Sequence, residues 1–340
     1  MRKNLYFTFV MLIELAIMAA FIWFLIYLFP TLDRQGYLFY GDAPHAPYLE
    51  QEISSTVVTI IRWILYVLTA CLLLPIMITI LLELLRWKIN QKWSPAPLPP
   101  NNRDEEQITR FDVHLKMHHY LIMIGVTVAG IFGLAQAFPD LSVSRWFVEE
   151  IWGGLEVKRQ FHHYFAYIVD FTVLYFIGYL GYKFLIKKEK LKAMLPSFKD
   201  LKDFFEMNLY ILGLRKEEPL YNRFTFGQKL DFYLIGVSIP ILSLTGLAMH
   251  YTSVSEPVIT TTGIALAAVL HRSVAIFFFW FVLSVHFYYA HLAPGLFPMN
   301  TVILTGKMSK SRYAALFPLD GERLGTTGSG DYESVSTTRD

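Results

Sequence analysis

A single cysteine, Cys71, stands in the 340-residue chain, and it lies inside an apolar run. One thiol cannot close a disulfide framework, ligate an iron–sulfur cluster or supply the C-x-x-C-H pair of a covalently attached c-type haem, so any such centre belongs to another subunit. Charge is also scarce. Asp, Glu, Lys and Arg make up 17% of the residues and the net charge is +2. The basic residues are spread over connecting segments rather than gathered into a patch, which excludes a nucleic-acid-binding surface. What the chain has in surplus is apolar side chains, 54% of residues with 16% aromatic, more than an ordinary soluble domain of this length carries.

Apolar stretches of membrane-crossing length occur at about 5–29, 57–85, 117–138, 161–186, 230–250 and 263–290, each near or above the roughly 20 residues that cross a hydrocarbon core. The fold class expected is an all-α integral membrane protein of six transmembrane helices. The first stretch is too long for the h-region of a signal peptide and no A-x-A site follows it, so it reads as a retained span. Lys and Arg number 2, 6, 11 and 5 in the N-terminus, 86–116, 183–229 and the tail, against 1, 3 and 0 in the alternate loops. That asymmetry predicts both termini on the cytoplasmic side of a prokaryotic inner membrane. Arg62, near the start of the second span, reads as an interfacial side chain reaching toward water.

"WSPAPLPPNN" cannot continue a helix, so residues 93–109 read as a cytoplasmic linker between a two-helix unit, 1–92, and a four-helix unit, 110–310. Residues 195–214, within a cytoplasmic segment at 190–218, are amphipathic and predict a helix along the membrane face. The Gly/Ser/Thr-rich end, 311–340, is expected to be disordered.

Nine of the ten histidines lie beyond the linker; the other is His45. In "HRSVAIFFFWFVLSVH", His271 and His286 stand about 22 Å apart along one helix and about 60° apart around it, near opposite membrane faces. His118 and His119 open the third span at the inner face, and His162 and His163 open the fourth at the outer face. Each depth therefore offers a facing pair, which is what a six-coordinate b-type haem in a helix bundle requires. Intramembrane ionisable groups are costly and usually functional. Gly125, Gly130, Gly133, Gly178, Gly181 and Gly246 would let a flat macrocycle approach the backbone. Arg272 and the Lys158–Arg159 pair are candidates to neutralise haem propionates. "HLKMHH" and "HFYYAH" also suggest the histidine boxes of di-iron membrane hydroxylases and desaturases, but topology places His114, His118, His119, His286 and His291 inside and His162, His163, His250 and His271 outside, so they cannot converge. A haem-free anchor or transporter subunit is the contrasting expectation.

"RFDVHLKMHHYLIMIGVTVAGIFGL", "FHHYFAYI", "LPSFKDLKDF", "EPLYNRFTFGQKLDFY" and "LHRSVAIFFFWFVLSVHFYYAHL" together resemble the cytochrome b subunits of membrane-bound formate dehydrogenases, hydrogenases and thiosulfate reductases, over residues 110 to about 310. The resemblance implies an electron-transfer subunit of a respiratory oxidoreductase complex that binds two haem b. It implies His119 with His286 at the inner haem and His162 with His271 at the outer haem, His118 and His163 being alternates. The two histidines of the last span are 15 residues apart here, where the formate dehydrogenase subunits have 14, a difference of about 100° in helical phase. Thr225 stands where the family has an asparagine that helps bind quinone. A menaquinone or ubiquinone near the inner face is expected, since the inner end also offers Gln228 and Lys229 beside His114 and His291, polar groups of the kind such a pocket needs. The other expected partners are membrane lipid and an outer-face iron–sulfur or multihaem c-type subunit. The two N-terminal helices fall outside the resemblance, show no chemistry of their own and suggest a docking surface.

Overall fold

The computed structural model describes residues 2–28, 55–89, 98–139, 141–188, 191–293, 296–297 and 299–321. His45, residues 93–97 of the proline-rich stretch and the tail beyond residue 321 lie outside the described residues. Six helices are long and apolar enough to cross a membrane, at Leu5–Leu28, Thr56–Ile89, Val113–Ala137, Glu156–Ile186, Phe226–His250 and Thr252–Leu292. The chain is an all-α integral membrane protein. Its outward surface is a belt of large apolar side chains, among them Leu5, Ile60, Leu174, Phe184 and Leu244, as expected where the surrounding medium is lipid.

The spanning helices are α1 (Arg2–Trp23), α2 (Thr56–Ile89), α3 (Val113–Ala137), α4 (Leu155–Gly181), α6 (Phe226–His250) and α7 (Thr252–Phe281), with a short helix α5 (Phe198–Ile211) between α4 and α6. α3 packs along α4, and α6 along α7. α1 and α2 form a hairpin that packs on α7 rather than projecting away. Phe21, Phe24, Leu73 and Met77 of the hairpin share one core with Ile276, Trp280 and Phe281 of α7. In its most apolar window the last span is 44% buried, against 11–28% for the others, which makes it the central helix. The N-terminal unit is thus an intramolecular wall of the bundle. Arg62 is buried, and donates to Thr59 Oγ1 at 3.1 Å instead of reaching outward.

α7 departs twice from regular geometry. Thr260 holds φ +62° and ψ 170°, so the helix that begins at Thr252 is broken there and the span proper starts just beyond it. After Phe281 the chain takes π-helical turns at Val282–His286 and Tyr288–Leu292. The amide of Phe287 donates to the Val282 carbonyl five residues back. A π-turn accommodates one extra residue within an α-helix. The first of these turns falls between His271 and His286 and ends at His286, within the fifteen-residue spacing.

One face of the molecule carries the long connections. Gln107–Thr109, inside the expected linker, forms β1 and pairs antiparallel with β2, Lys307–Ser309. Helix α8 (Lys310–Leu316) runs into the stretch 311–340 expected to be disordered, and its Tyr313 is buried with Phe317, Val302 and Met308. The tail is therefore folded as far as residue 321. Arg110 stands beneath this cap, donating to the Arg223 carbonyl at 2.9 Å with its guanidinium 4.5 Å from the Phe317 ring centre. Three-residue strands and a seven-residue helix offer no periodicity to read. α5 appears where amphipathicity placed it, with Ser197 and Asp200 forming a capping box.

Candidate haem-binding histidines

At the face opposite the cap, α4 and α7 bring His162 and His271 together with ring centroids 6.3 Å apart. Two imidazole–metal bonds of about 2 Å, one from each ring, require centroids roughly 6 Å apart. His162 Nδ1 lies 2.8 Å from the Ala129 carbonyl of α3. His271 Nδ1 lies 3.1 Å from the Leu242 carbonyl and 3.0 Å from Thr245 Oγ1 of α6. A carbonyl only accepts, so both Nδ1 atoms carry hydrogen and both Nε2 lone pairs are left for a metal. Two of the six glycines explain how the rings fit. A Cβ at Gly133 would lie 3.2 Å from His162 Cε1, and one at Gly246 would lie 3.3 Å from His271 Cε1. Gly125 instead lets α3 approach Val169 of α4, and Gly130, Gly178 and Gly181 meet nothing within 4 Å.

His163 turns the other way. Its ring is 4.3 Å from that of His250, and Tyr167 beside them is 2.9 Å from the Tyr251 hydroxyl. Lys158, fully buried, is within electrostatic reach of His162, and Arg272 of His271, so two of the three cations read as propionate partners stand at the histidine pair. Arg159 is engaged by Glu156 at 2.6 Å.

Toward the cap, His286 Nδ1 donates to the Asp231 carboxylate of α6, at 2.8 and 3.0 Å from its two oxygens. His119 interacts electrostatically with His286, His118, His291 and Asp231, so these groups occupy one neighbourhood. The Nδ1 atoms of His118, His119 and His291 are buried without hydrogen-bond partners. His118 stacks on Phe176 at 4.3 Å, which leaves His119 as the α3 imidazole interacting with His286. His114 is tied 2.7 Å from the Tyr175 hydroxyl. Asp231 was not singled out from the sequence: a carboxylate five residues into a span reads as an interfacial charge until its partner is seen.

The three polar residues at the start of α6 have local partners. Thr225 and Gln228 cap the helix reciprocally, at 3.1 and 3.2 Å, and Lys229 pairs with Asp200 of α5 at 2.9 Å. Burial works against Asp200, but Lys229 and Ser197 hold its carboxyl below the ordinary carboxylate range. Likewise, against burial, the Tyr179 hydroxyl, the Leu115 amide and Lys183 hold Asp112 low at the head of α3.

Among the described residues no group of three or more His, Cys, Asp or Glu side chains is placed to hold a metal ion. The donor sets that do occur are imidazole pairs set between helices, the arrangement a b-type haem takes. No curated protein matches the chain. Residues 110–297 match the family model described as prokaryotic cytochrome b561, and with more than half its length matched the chain belongs to that family, membrane proteins that bind haem b and transfer electrons.

Proposed function

We propose that the chain is the di-haem b subunit of a respiratory oxidoreductase complex in a prokaryotic inner membrane, with the cap and both termini cytoplasmic. His162 and His271 hold the outer haem; His119 and His286 hold the inner one. The observation that carries this reading is the tethering of His162, His271 and His286 through Nδ1, to Ala129, Leu242 and Asp231, which presents Nε2 from each. Haem supplies one-electron chemistry when bound. The protein holds the ring planes, fixes the tautomers and excludes water. Lys158, Arg159 and Arg272 offer positive charge to the outer propionates. Electrons enter at the outer face from an iron–sulfur or multihaem c-type partner and leave to menaquinone or ubiquinone near the inner face. Thr225, Gln228 and Lys229 form the polar rim of that quinone site, their caps and ion pair fixing where they stand. Each electron that crosses moves nearly a full charge over the bilayer, worth about 2.3 kcal/mol per 100 mV.

The test is spectroscopic. The purified chain should carry two b-type haems by pyridine haemochrome. His271→Ala should remove only the outer haem and His286→Ala only the inner one. A colourless protein, or loss of both haems in each variant, would overturn the assignment.

A further inference from the structure

The N-terminal hairpin carries two carboxylates at membrane depth. Glu14 of α1 is 1% exposed and Glu83 of α2 is 5% exposed. Both oxygens of Glu14 are buried without a hydrogen-bond partner. Glu83 receives a hydrogen bond of 3.4 Å from the hydroxyl of Tyr288, itself fully buried. Tyr288 and Tyr289 are each within electrostatic reach of both carboxyl groups, and Tyr6, which donates to the Leu292 carbonyl, faces Glu83 from α1.

From Glu83 the polar groups continue to the cap. Glu218 is within electrostatic reach of Glu83, as are Tyr210 and Tyr221 of α5 and the connecting segment. The Arg86 guanidinium lies 4.2 Å over the Tyr210 ring. Burial raises the Glu218 carboxyl above the ordinary range, although Tyr210 and Arg86 act in the opposite direction. An unpaired carboxylate sealed from water is far costlier than its neutral acid, and a proton on Glu14 and on Glu83 removes that cost.

We propose that the hairpin is a proton-storing element, in which Glu14 and Glu83 hold exchangeable protons inside the membrane and trade them with cytoplasmic water through Glu218. Its role rests on the quinone reading above. A quinone that takes two electrons takes two protons. For each of the two, one proton passes from the Glu83 carboxyl to the reduced quinone, the Glu218 carboxyl gives its proton to the Glu83 carboxylate, and Glu218 takes one proton from water. Glu14 is the reserve deeper in the same wall. The hairpin thereby acquires a task that the haem ligands do not perform.

Infrared spectra of the intact protein in lipid test the store without reference to haem. At neutral pH the wild type should show protonated-carboxyl stretching bands that shift in D2O, one component lost in Glu14→Gln and another in Glu83→Gln. Spectra of both variants identical to wild type in that region would overturn the proposal. The role is read separately, from proton uptake during quinone reduction in vesicles. Glu83→Gln should slow it by about 10²-fold, the lower end of what removing a positioned proton donor costs, with both haem bands intact. Unchanged uptake overturns the relay. Missing haem bands in the wild type would instead refute the quinone reading, the carboxyl bands still deciding the store.

Discussion

Replacing Asp231 by Asn should raise the midpoint potential of the inner haem and leave the outer one where it was. The carboxylate accepts from His286 Nδ1 at 2.8 Å, and across an imidazole ring and a metal–nitrogen bond it would stand about 7 Å from the iron. At that range a full negative charge acts on the metal with about 2.4 kcal/mol at an effective dielectric constant near 20. For a one-electron couple this is about 100 mV. Its sign is fixed: the anion favours ferric iron, so removing it makes the haem easier to reduce. Asparagine keeps an acceptor oxygen for the Nδ1 hydrogen, so the histidine should remain in place and the haem should be retained. An optical redox titration of the purified variant reads both haems at once. Equal shifts of both potentials, or a shift of the His162–His271 haem alone, would refute the pairing of Asp231 with the inner iron. No shift in either would refute the charge itself.

The first π-turn gives a second expectation: deleting Leu283 shortens the spacing of His271 and His286 from 15 to 14 and should remove the π-turn at Val282–His286 with both haems bound. Loss of the inner haem in that variant would show that the turn does not absorb the extra residue. The Asp200–Lys229 pair fastens α5 to α6, and because the folded carboxyl lies below its usual 3.8, its contribution is complete above that value and is lost as the pH falls through the lower folded one. Wild-type hydrogen-exchange protection of α5 should therefore be constant between about pH 5 and 8, while Asp200→Asn should lower it across that whole window; equal protection in the two would remove the ion pair as the fastening.

Hydropathy was enough to find six spans, because a bilayer imposes length and polarity on a helix whatever it packs against. The two-depth spacing of the histidines was legible for the same reason: helical rise converts residue number into depth. What decided which imidazole faces which was not legible. His162 and His163 differ by one residue, and only packing turns one toward His271 and the other toward His250. Gly133 and Gly246 stood among six small residues, and no feature of the sequence separates a glycine that meets an imidazole from one that meets nothing. The π-turn after Phe281 has no compositional mark, although the unusual spacing showed that the helix had to be distorted. Glu14 and Glu83 were in plain view, in "LIELAIM" and "LLELL". A carboxylate within an apolar span is itself a functional signal, but which polar groups it meets is set by the packing of the hairpin on the last span.

The central helix explains why these features share one chain. Its turns near the cap present His286 to the bundle and, two residues on and so nearly opposite around the axis, Tyr288 to the hairpin. A charge added on the bundle side of such a helix is poorly screened, since the surroundings are lipid and packed apolar side chains rather than water. At about 10 Å and an effective dielectric constant near 20, one uncompensated charge acts on another with about 1.7 kcal/mol. Groups that exchange protons on the opposite side of the same turn can offset that energy only if they are themselves kept from water, because exposed carboxylates would be ionised already and screened by salt. Burial of Glu14 and Glu83 to 1% and 5% exposure meets that condition. An N-terminal hairpin that served solely to anchor or to dock a partner would be more stable with leucine at both positions, since each buried carboxyl costs free energy that packing alone does not require.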